Sequence, residues 1–168
     1  GVINIGDRAF YRCIILVIII IPDSVKNIGE SAFSGCHNLS SVEIGKGVTS
    51  IGNGAFENCK KLTSVKLSEG LNNIGDRAFY GCILLVRIVI PNSVKIIGNG
   101  AFSDCKKLTT IEMGQGVTTI GNGAFKNCEN LTGVNIPNGV TSIGNNAFSG
   151  CTVLVIIIIP DSVKNIGD

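Results

Sequence analysis

Apolar and polar residues follow one another along this chain in a unit of 23 residues that recurs without an insertion. One unit reads Leu-x-x-Val-x-Ile-Pro-x-x-Val-x-x-Ile-Gly-x-x-Ala-Phe-x-x-Cys-x-x, as in Leu39, Val42, Ile44, Val48, Ile51, Gly52, Ala55, Phe56 and Cys59. All seven phenylalanines (Phe10, Phe33, Phe56, Phe79, Phe102, Phe125, Phe148) and all seven cysteines (Cys13, Cys36, Cys59, Cys82, Cys105, Cys128, Cys151) sit on this lattice. So strict a period predicts a stack of equivalent coils, each closing its neighbour's apolar flanks, because one coil cannot bury its apolar side chains alone.

Each unit predicts three local elements. Leu-x-x-Val-x-Ile alternates with period two and is rich in β-branched residues, which fits a short, half-buried strand pairing in parallel with its copies. Pro22, Pro91, Pro137 and Pro160 follow that strand and end it for want of an N–H, with Gly45, Ser68 and Gly114 serving as exits in the other units. Val-x-x-Ile-Gly is expected to run extended to a glycine in a backbone conformation that other residues dislike. Ala-Phe-x-x-Cys spaces Phe and Cys for a single inward-facing helical or 3₁₀ turn.

The segment Ile-Gly-x-x-Ala-Phe-x-x-Cys, present from Ile5-Gly6 through Cys13 to Ile143-Gly144 through Cys151, resembles the 23-residue leucine-rich repeats of the BspA-like, or Treponema-type, class. The resemblance covers residues 1–168 as one domain of seven repeats and a partial eighth. It implies a leucine-rich-repeat solenoid, a curved right-handed α/β-type coil. A parallel β-sheet would lie on the concave face, one short strand per repeat, with extended segments and short helical or 3₁₀ turns on the convex side. It also implies a non-catalytic module at the cell surface or in secreted form, binding a host or surface protein through the strand face. A cytoplasmic location stays open, and fold alone does not fix function. Where commoner leucine-rich repeats stack an Asn ladder, this chain carries Ser24, Gly47, Gly70, Ser93, Gly116, Gly139 and Ser162, so that backbone pairing must come from elsewhere.

Composition narrows the partners. The net charge of +2 is too small to point to nucleic acid. The doublets Lys60-Lys61 and Lys106-Lys107 read as a solvated rim, with no aromatic platform beside them. The longest apolar run, Ile14 to Ile21, stops at Pro22, far short of the ~20 residues of a spanning helix. The cysteines have neither the close pairs of a zinc site nor a good geometry for disulfides, and read as small apolar filler in the core. The single histidine, His37, stands where other repeats carry Lys60, Lys106 or Glu129, and nothing orients it toward Ser40 or Ser41. Glu43 and Glu112 are three repeats apart, roughly 14 Å by strand spacing, too far to share one bond. The reading is therefore no enzyme, no metal and no cofactor.

The exposed side of the strands varies from repeat to repeat. Most units present polar residues there: Ser40, Ser41 and Glu43; Thr63, Ser64 and Lys66; Thr109, Thr110 and Glu112; Thr132, Gly133 and Asn135. Every third unit is apolar instead: Val17, Ile18 and Ile20; Val86, Arg87 and Val89; Val155, Ile156 and Ile158. Solvated strand faces ordinarily alternate apolar with polar. Leu16 to Gly29 recurs unchanged at Leu154 to Gly167, so drift copied by duplication is one explanation of the apolar rungs. A partner or self-association site is another, and an error or artificial origin of the sequence a third. On the partner reading the recognition residues are Ile18, Ile20, Glu43, Lys66, Arg87, Val89, Glu112, Ile156 and Ile158. The expected alternative function is a self-assembling scaffold with open, stackable ends. The lack of a polar cap at either end predicts a segment of a longer array.

Overall fold

The computed structural model describes residues 1–168 and contains fifteen short β-strands and no helix. Each coil contributes two strands. The first falls in the Leu-x-x-Val-x-Ile segment: β2 (Ile18–Ile20), β4 (Ser41–Glu43), β6 (Ser64–Lys66), β8 (Arg87–Ile90), β10 (Thr110–Met113), β12 (Gly133–Asn135) and β14 (Ile156–Ile158). These are numbered here as the strand-face rungs of coils 1 to 7. The second falls in Val-x-x-Ile-Gly, as in β1 (Asn4–Ile5), β7 (Asn73–Ile74), β9 (Ile96–Ile97) and β15 (Asn165–Ile166). The sequence predicts an extended run there, and the run is paired from coil to coil. It forms the longer sheet, eight parallel strands in unbroken order. Registers such as Asn73↔Ile96 and Thr110↔Arg87 keep every pair one repeat apart.

The strand face, by contrast, is two sheets. β2, β4 and β6 pair with one another, and so do β8, β10, β12 and β14. Between Ser64–Lys66 and Arg87–Ile90 no ladder forms. The inward side chains record the seam: Val65 and Leu67 of coil 3 are only partly buried, while Val42, Ile88 and Ile90 are buried.

The Phe segment corrects the expected helical turn. Two positions per coil have left-handed φ in every repeat, as at Arg8 and Arg12, Ser31 and Gly35, or Arg77 and Gly81. A left-handed residue at every fourth place forbids continuing a right-handed helix. Instead the backbone alternates its bonding. Ala55, Glu57 and Cys59 donate to the carbonyls of Gly52, Gly54 and Phe56 in their own coil, whereas Gly54, Phe56 and Asn58 donate to Asp76, Ala78 and Tyr80 of the next. The segment is a row of tight turns and a third inter-coil ladder at once.

The glycine of Ile-Gly also differs from expectation. Its φ is not positive, so freedom of conformation is not its role. A Cβ on Gly75 would lie 2.7 Å from the carbonyl carbon of Gly52 and 2.7 Å from the Ile51 oxygen. Glycine is needed because two backbones touch there.

Inside, 41 buried residues form one contiguous core. The seven phenylalanine rings stack in a single column, centroids 5.0–5.4 Å apart and planes within 9° of parallel. The cysteines do more than fill space. Each thiol from Cys36 onward donates to the carbonyl of the Phe in the preceding coil, for example Cys82 Sγ to Phe56 O at 3.3 Å, giving a ladder of weak bonds beside the ring column. The backbone pairing that the missing Asn ladder would have given is found one residue past the glycine. There Asn53, Asp76, Asn99 and Asn122 side chains accept from the N–H groups of Asp76, Asn99, Asn122 and Asn145, at 2.7–2.9 Å. Ser24, Ser93 and Ser162 at the older position donate their hydroxyls to carbonyls of the coil before.

Two outcomes follow from these contacts. Gly75→Ala should cost more than about 2 kcal/mol of stability, because backbone cannot yield without parting the ladder. Gly6→Ala, where nothing lies within 4 Å of the new Cβ, should be close to neutral by urea unfolding. Equal costs at both sites would show that inter-coil contact is not the reason for glycine.

Burial also lifts the thiols of Cys59, Cys82, Cys105 and Cys128 above their ordinary value of 9.0. A raised folded pKa means the native state holds protons that the unfolded chain releases. That contribution to stability is complete below pH 9 and is lost as pH climbs above it. Thermal melts from pH 7 to 11 should show the midpoint falling above pH 9, and Cys82→Ala with Cys105→Ala should flatten the fall.

Candidate ligand-binding face

The outward residues of the strand face stand in two columns because strand side chains alternate sides. One column runs Ile18, Ser41, Ser64, Arg87, Thr110, Gly133 and Ile156, and the other Ile20, Glu43, Lys66, Val89, Glu112, Asn135 and Ile158. The registers place each residue beside its counterpart in the adjoining coil, as in Glu43↔Lys66, Glu112↔Val89 and Asn135↔Ile158. All nine candidate residues therefore share one surface. Neighbouring coils bring Ile18 and Ile20 beside Ser41 and Glu43, and Arg87 and Val89 beside Thr110 and Glu112.

The apolar rungs are open to water. Ile18 and Ile20 are 59% and 67% exposed, Ile156 and Ile158 60% and 56%, and Val89 45%. Inward neighbours on the central strands are buried, such as Ile88 at 0% and Val134 at 4%. In coils 1 and 4 the alternation that packs the core leaves Ile18, Ile20 and Val89 in solvent, at positions where other coils carry Ser, Thr, Glu and Lys; in coil 7 the inward Ile157 is exposed too, at 37%.

The charged rungs form two ion pairs, one on each side of the seam. Lys66 Nζ lies 2.5 Å from Glu43 Oε1, and the hydrogen bond first and the carboxylate charge second hold the ammonium above its ordinary value. Arg87 donates from Nε and Nη2 to Glu112 Oε1, reaching diagonally over coil 5. No ion pair crosses from coil 3 to coil 4, so Lys66 and Arg87 each lean away from the seam. A groove of about 670 Å³ opens where the strands of coils 1 to 3 leave the face, lined by Ile20, Pro22, Glu43, Lys46, Lys66 and Glu69 among others.

The edges of this face carry hydroxyl columns. Ser40, Thr63, Thr109 and Thr132 Oγ donate to backbone carbonyls of the preceding coil and are taken up structurally. His37 is half-buried with Nδ1 3.1 Å from the Asn58 carbonyl. No three His, Cys, Asp or Glu side chains converge as metal ligands. Of the lysine doublets, Lys106 pairs with Glu129 at 2.9 Å. Sequence reading missed a cluster on the Phe side, where the Arg77 guanidinium lies 3.9 Å from the Tyr80 ring centre and pairs with Glu57 at 2.6 Å. Glu57 and Arg77 are 20 residues apart in adjacent coils, which their lattice positions could have shown.

A parallel-strand coil with this core defines a leucine-rich-repeat solenoid. The chain belongs to the BspA-type leucine-rich repeat family, whose description as a BspA type leucine rich repeat region matches residues 1–106 and 73–168 in six copies. It is similar to a leucine-rich cell surface protein from Faecalibacterium prausnitzii, at 38% identity over 93% of this chain and 42% of that one, TM-score 0.85. It is similar also to the leucine-rich repeat protein of T. pallidum, at 36% identity over 92% of this chain and 72% of that one, TM-score 0.84. A leucine-rich repeat protein from Bacteroides ovatus shares 28% identity over 90% of the chain and 48% of its own length, TM-score 0.66. The chain thus spans less than half the length of the first and third of these. No curated protein sequence matches the chain. No helix is long and apolar enough to cross a membrane.

Exposed ion pairs contribute little to stability. Glu43→Gln and Glu112→Gln should each leave the urea midpoint unchanged within error while altering the charge of the face. A clear downward shift in either would assign the pair to folding.

Proposed function

We propose that the chain is a non-catalytic protein-binding module, at the cell surface or secreted, that recognises a protein ligand through its strand face. The observation that carries this reading is the exposure of Ile18, Ile20, Val89, Ile156 and Ile158 on a face whose other rungs are polar. Large apolar side chains held in water by a rigid sheet gain free energy when a partner covers them, at no cost in backbone ordering. The sheet offers fixed spacing between rungs, so a partner is read by which rungs are apolar and which are charged. Glu43, Lys66, Arg87 and Glu112 between the apolar rungs supply orientation and discrimination more than affinity. The likeness to the leucine-rich cell surface protein of F. prausnitzii supports the surface location, and adhesion is the role such a module would serve there.

The double variant Ile156→Glu/Ile158→Glu should lose at least tenfold in affinity for a surface-protein ligand captured by the wild-type chain, with an unchanged circular dichroism spectrum. Undiminished binding by a folded variant would sink the reading for this face.

A further inference from the structure

An asparagine followed by glycine is open to self-modification, because glycine has no Cβ to shield its nitrogen from the amide beside it. Four such pairs occur in this chain: Asn53-Gly54, Asn99-Gly100, Asn122-Gly123 and Asn138-Gly139. All four asparagines are exposed, so access to water does not separate them. Their hydrogen bonds do. We infer that Asn138 is a site of spontaneous conversion to aspartate and isoaspartate, and that the inter-coil ladder protects the other three.

In the three pairs of the Phe segment both reacting groups are engaged. The N–H groups of Gly54, Gly100 and Gly123 donate to the carbonyls of Asp76, Asn122 and Asn145, each at 2.8 Å. The side-chain oxygens of Asn53, Asn99 and Asn122 accept from the N–H groups of Asp76, Asn122 and Asn145 at 2.8–2.9 Å. Nucleophile and amide are thus both turned toward the next coil, and reaction there requires two coils to part locally first.

Asn138 stands in the turn that leaves the strand face after β12. Val140 N–H closes this turn on the Pro137 carbonyl at 3.0 Å, while Gly139 N–H meets no acceptor in the chain. The Asn138 side chain has no hydrogen-bond partner either. At the same lattice position, Asp23 and Asn92 accept from Lys46 and Gln115 N–H at 2.7 and 2.9 Å. Asn138 alone among the four pairs therefore has both its amide and the following nitrogen at liberty.

The chemistry needs only water and hydroxide. The Gly139 nitrogen gives its proton to hydroxide and attacks Asn138 Cγ; the bond to Nδ2 breaks, ammonia leaves, and a succinimide ring closes. Water then adds to one ring carbonyl. Opening at Cγ gives aspartate, and opening at the backbone carbonyl gives isoaspartate, whose main chain runs through Cβ. The sum is amide and water to carboxylate and ammonium, with no change of oxidation state. Either product sets a carboxylate one coil from Asp161, which holds the same lattice position. Isoaspartate also lengthens the main chain within a tight turn. Val140 beside it is buried in the core, and its carbonyl accepts from Ser162 Oγ at 2.8 Å. Ageing of this one site would loosen the join between coils 6 and 7.

The test holds the purified chain in mildly alkaline buffer, folded in one sample and in concentrated urea in another. Peptides are then mapped by mass spectrometry with electron-transfer fragmentation, which tells isoaspartate from aspartate. In the folded chain Asn138 should convert roughly tenfold or more faster than Asn53, Asn99 and Asn122, since each of those is held by two hydrogen bonds. In urea the four pairs should convert at comparable rates. Asn138→Ser should keep its urea midpoint through the folded incubation while that of the wild type drifts downward. A folded chain that converts the other three as fast as Asn138 overturns the inference, as does an Asn138 that stays intact when folded and converts in urea. The same order of rates in urea as in the folded chain would assign the selectivity to local sequence and overturn the protective role of the ladder.

Discussion

The separation between successive coils is the constraint on which this molecule rests. Parallel strands fix it near 4.7–4.9 Å in the sheets, and every other contact must fit that rise. At Ile-Gly the fit is tight enough that a single methyl group would enter the next backbone. At the ring column the phenylalanines stack at 5.0–5.4 Å, close to that rise. Between them run the thiol-to-carbonyl bonds and the Asn/Asp side-chain bonds, each joining one coil to the next. Stability in such a stack is held by coil-to-coil terms, and few contacts reach farther.

One result of this arrangement is a division of labour among residues. Lattice positions are occupied by geometry: glycine where backbones touch, Phe and Cys in the core column, Val and Ile inward on the strands. The outward strand positions vary from coil to coil, as does the site after each cysteine, occupied by His37, Lys60, Lys106 and Glu129 among others. Serine, threonine, glutamate, lysine, arginine and isoleucine occupy equivalent backbone sites along one sheet. Their side chains stand at the fixed intervals of the sheet.

Much of the fold could be read from the 23-residue period, since Leu, Val, Ile, Ala, Phe and Cys recur at positions that the core then occupies. The outward residues were legible for the same reason: alternation in Leu-x-x-Val-x-Ile leaves no other side for Ile18, Ile20, Ile156 and Ile158. Three features were not. Turn chemistry hid the left-handed residues, because Arg8, Arg12, Ser31 and Arg77 occupy sites where Gly, Asn and Asp elsewhere give the clue. The Ile-Gly glycine looks the same in sequence whether it serves a left-handed turn or a close approach, and only the neighbouring coil decides. From the sequence alone the cysteines read as filler, because the pattern shows that Cys is buried and not which carbonyl it faces. The ion pairs of Lys66 and Arg87 depend on side-chain reach across coils, which the pattern of residue types leaves open.

The seam between coils 3 and 4 has a mechanical consequence. A pull along the stacking axis loads every boundary between coils equally. Most boundaries resist with the strand-face ladder, the ladder of the longer sheet, and the ladder of the Phe segment. At this one the first is missing, while Asn73–Ile74 still pairs with Ile96–Ile97 and Phe79 still donates to Ala101. Extension would therefore open the molecule as a book opens, the strand face parting first and the phenylalanine column serving as the spine.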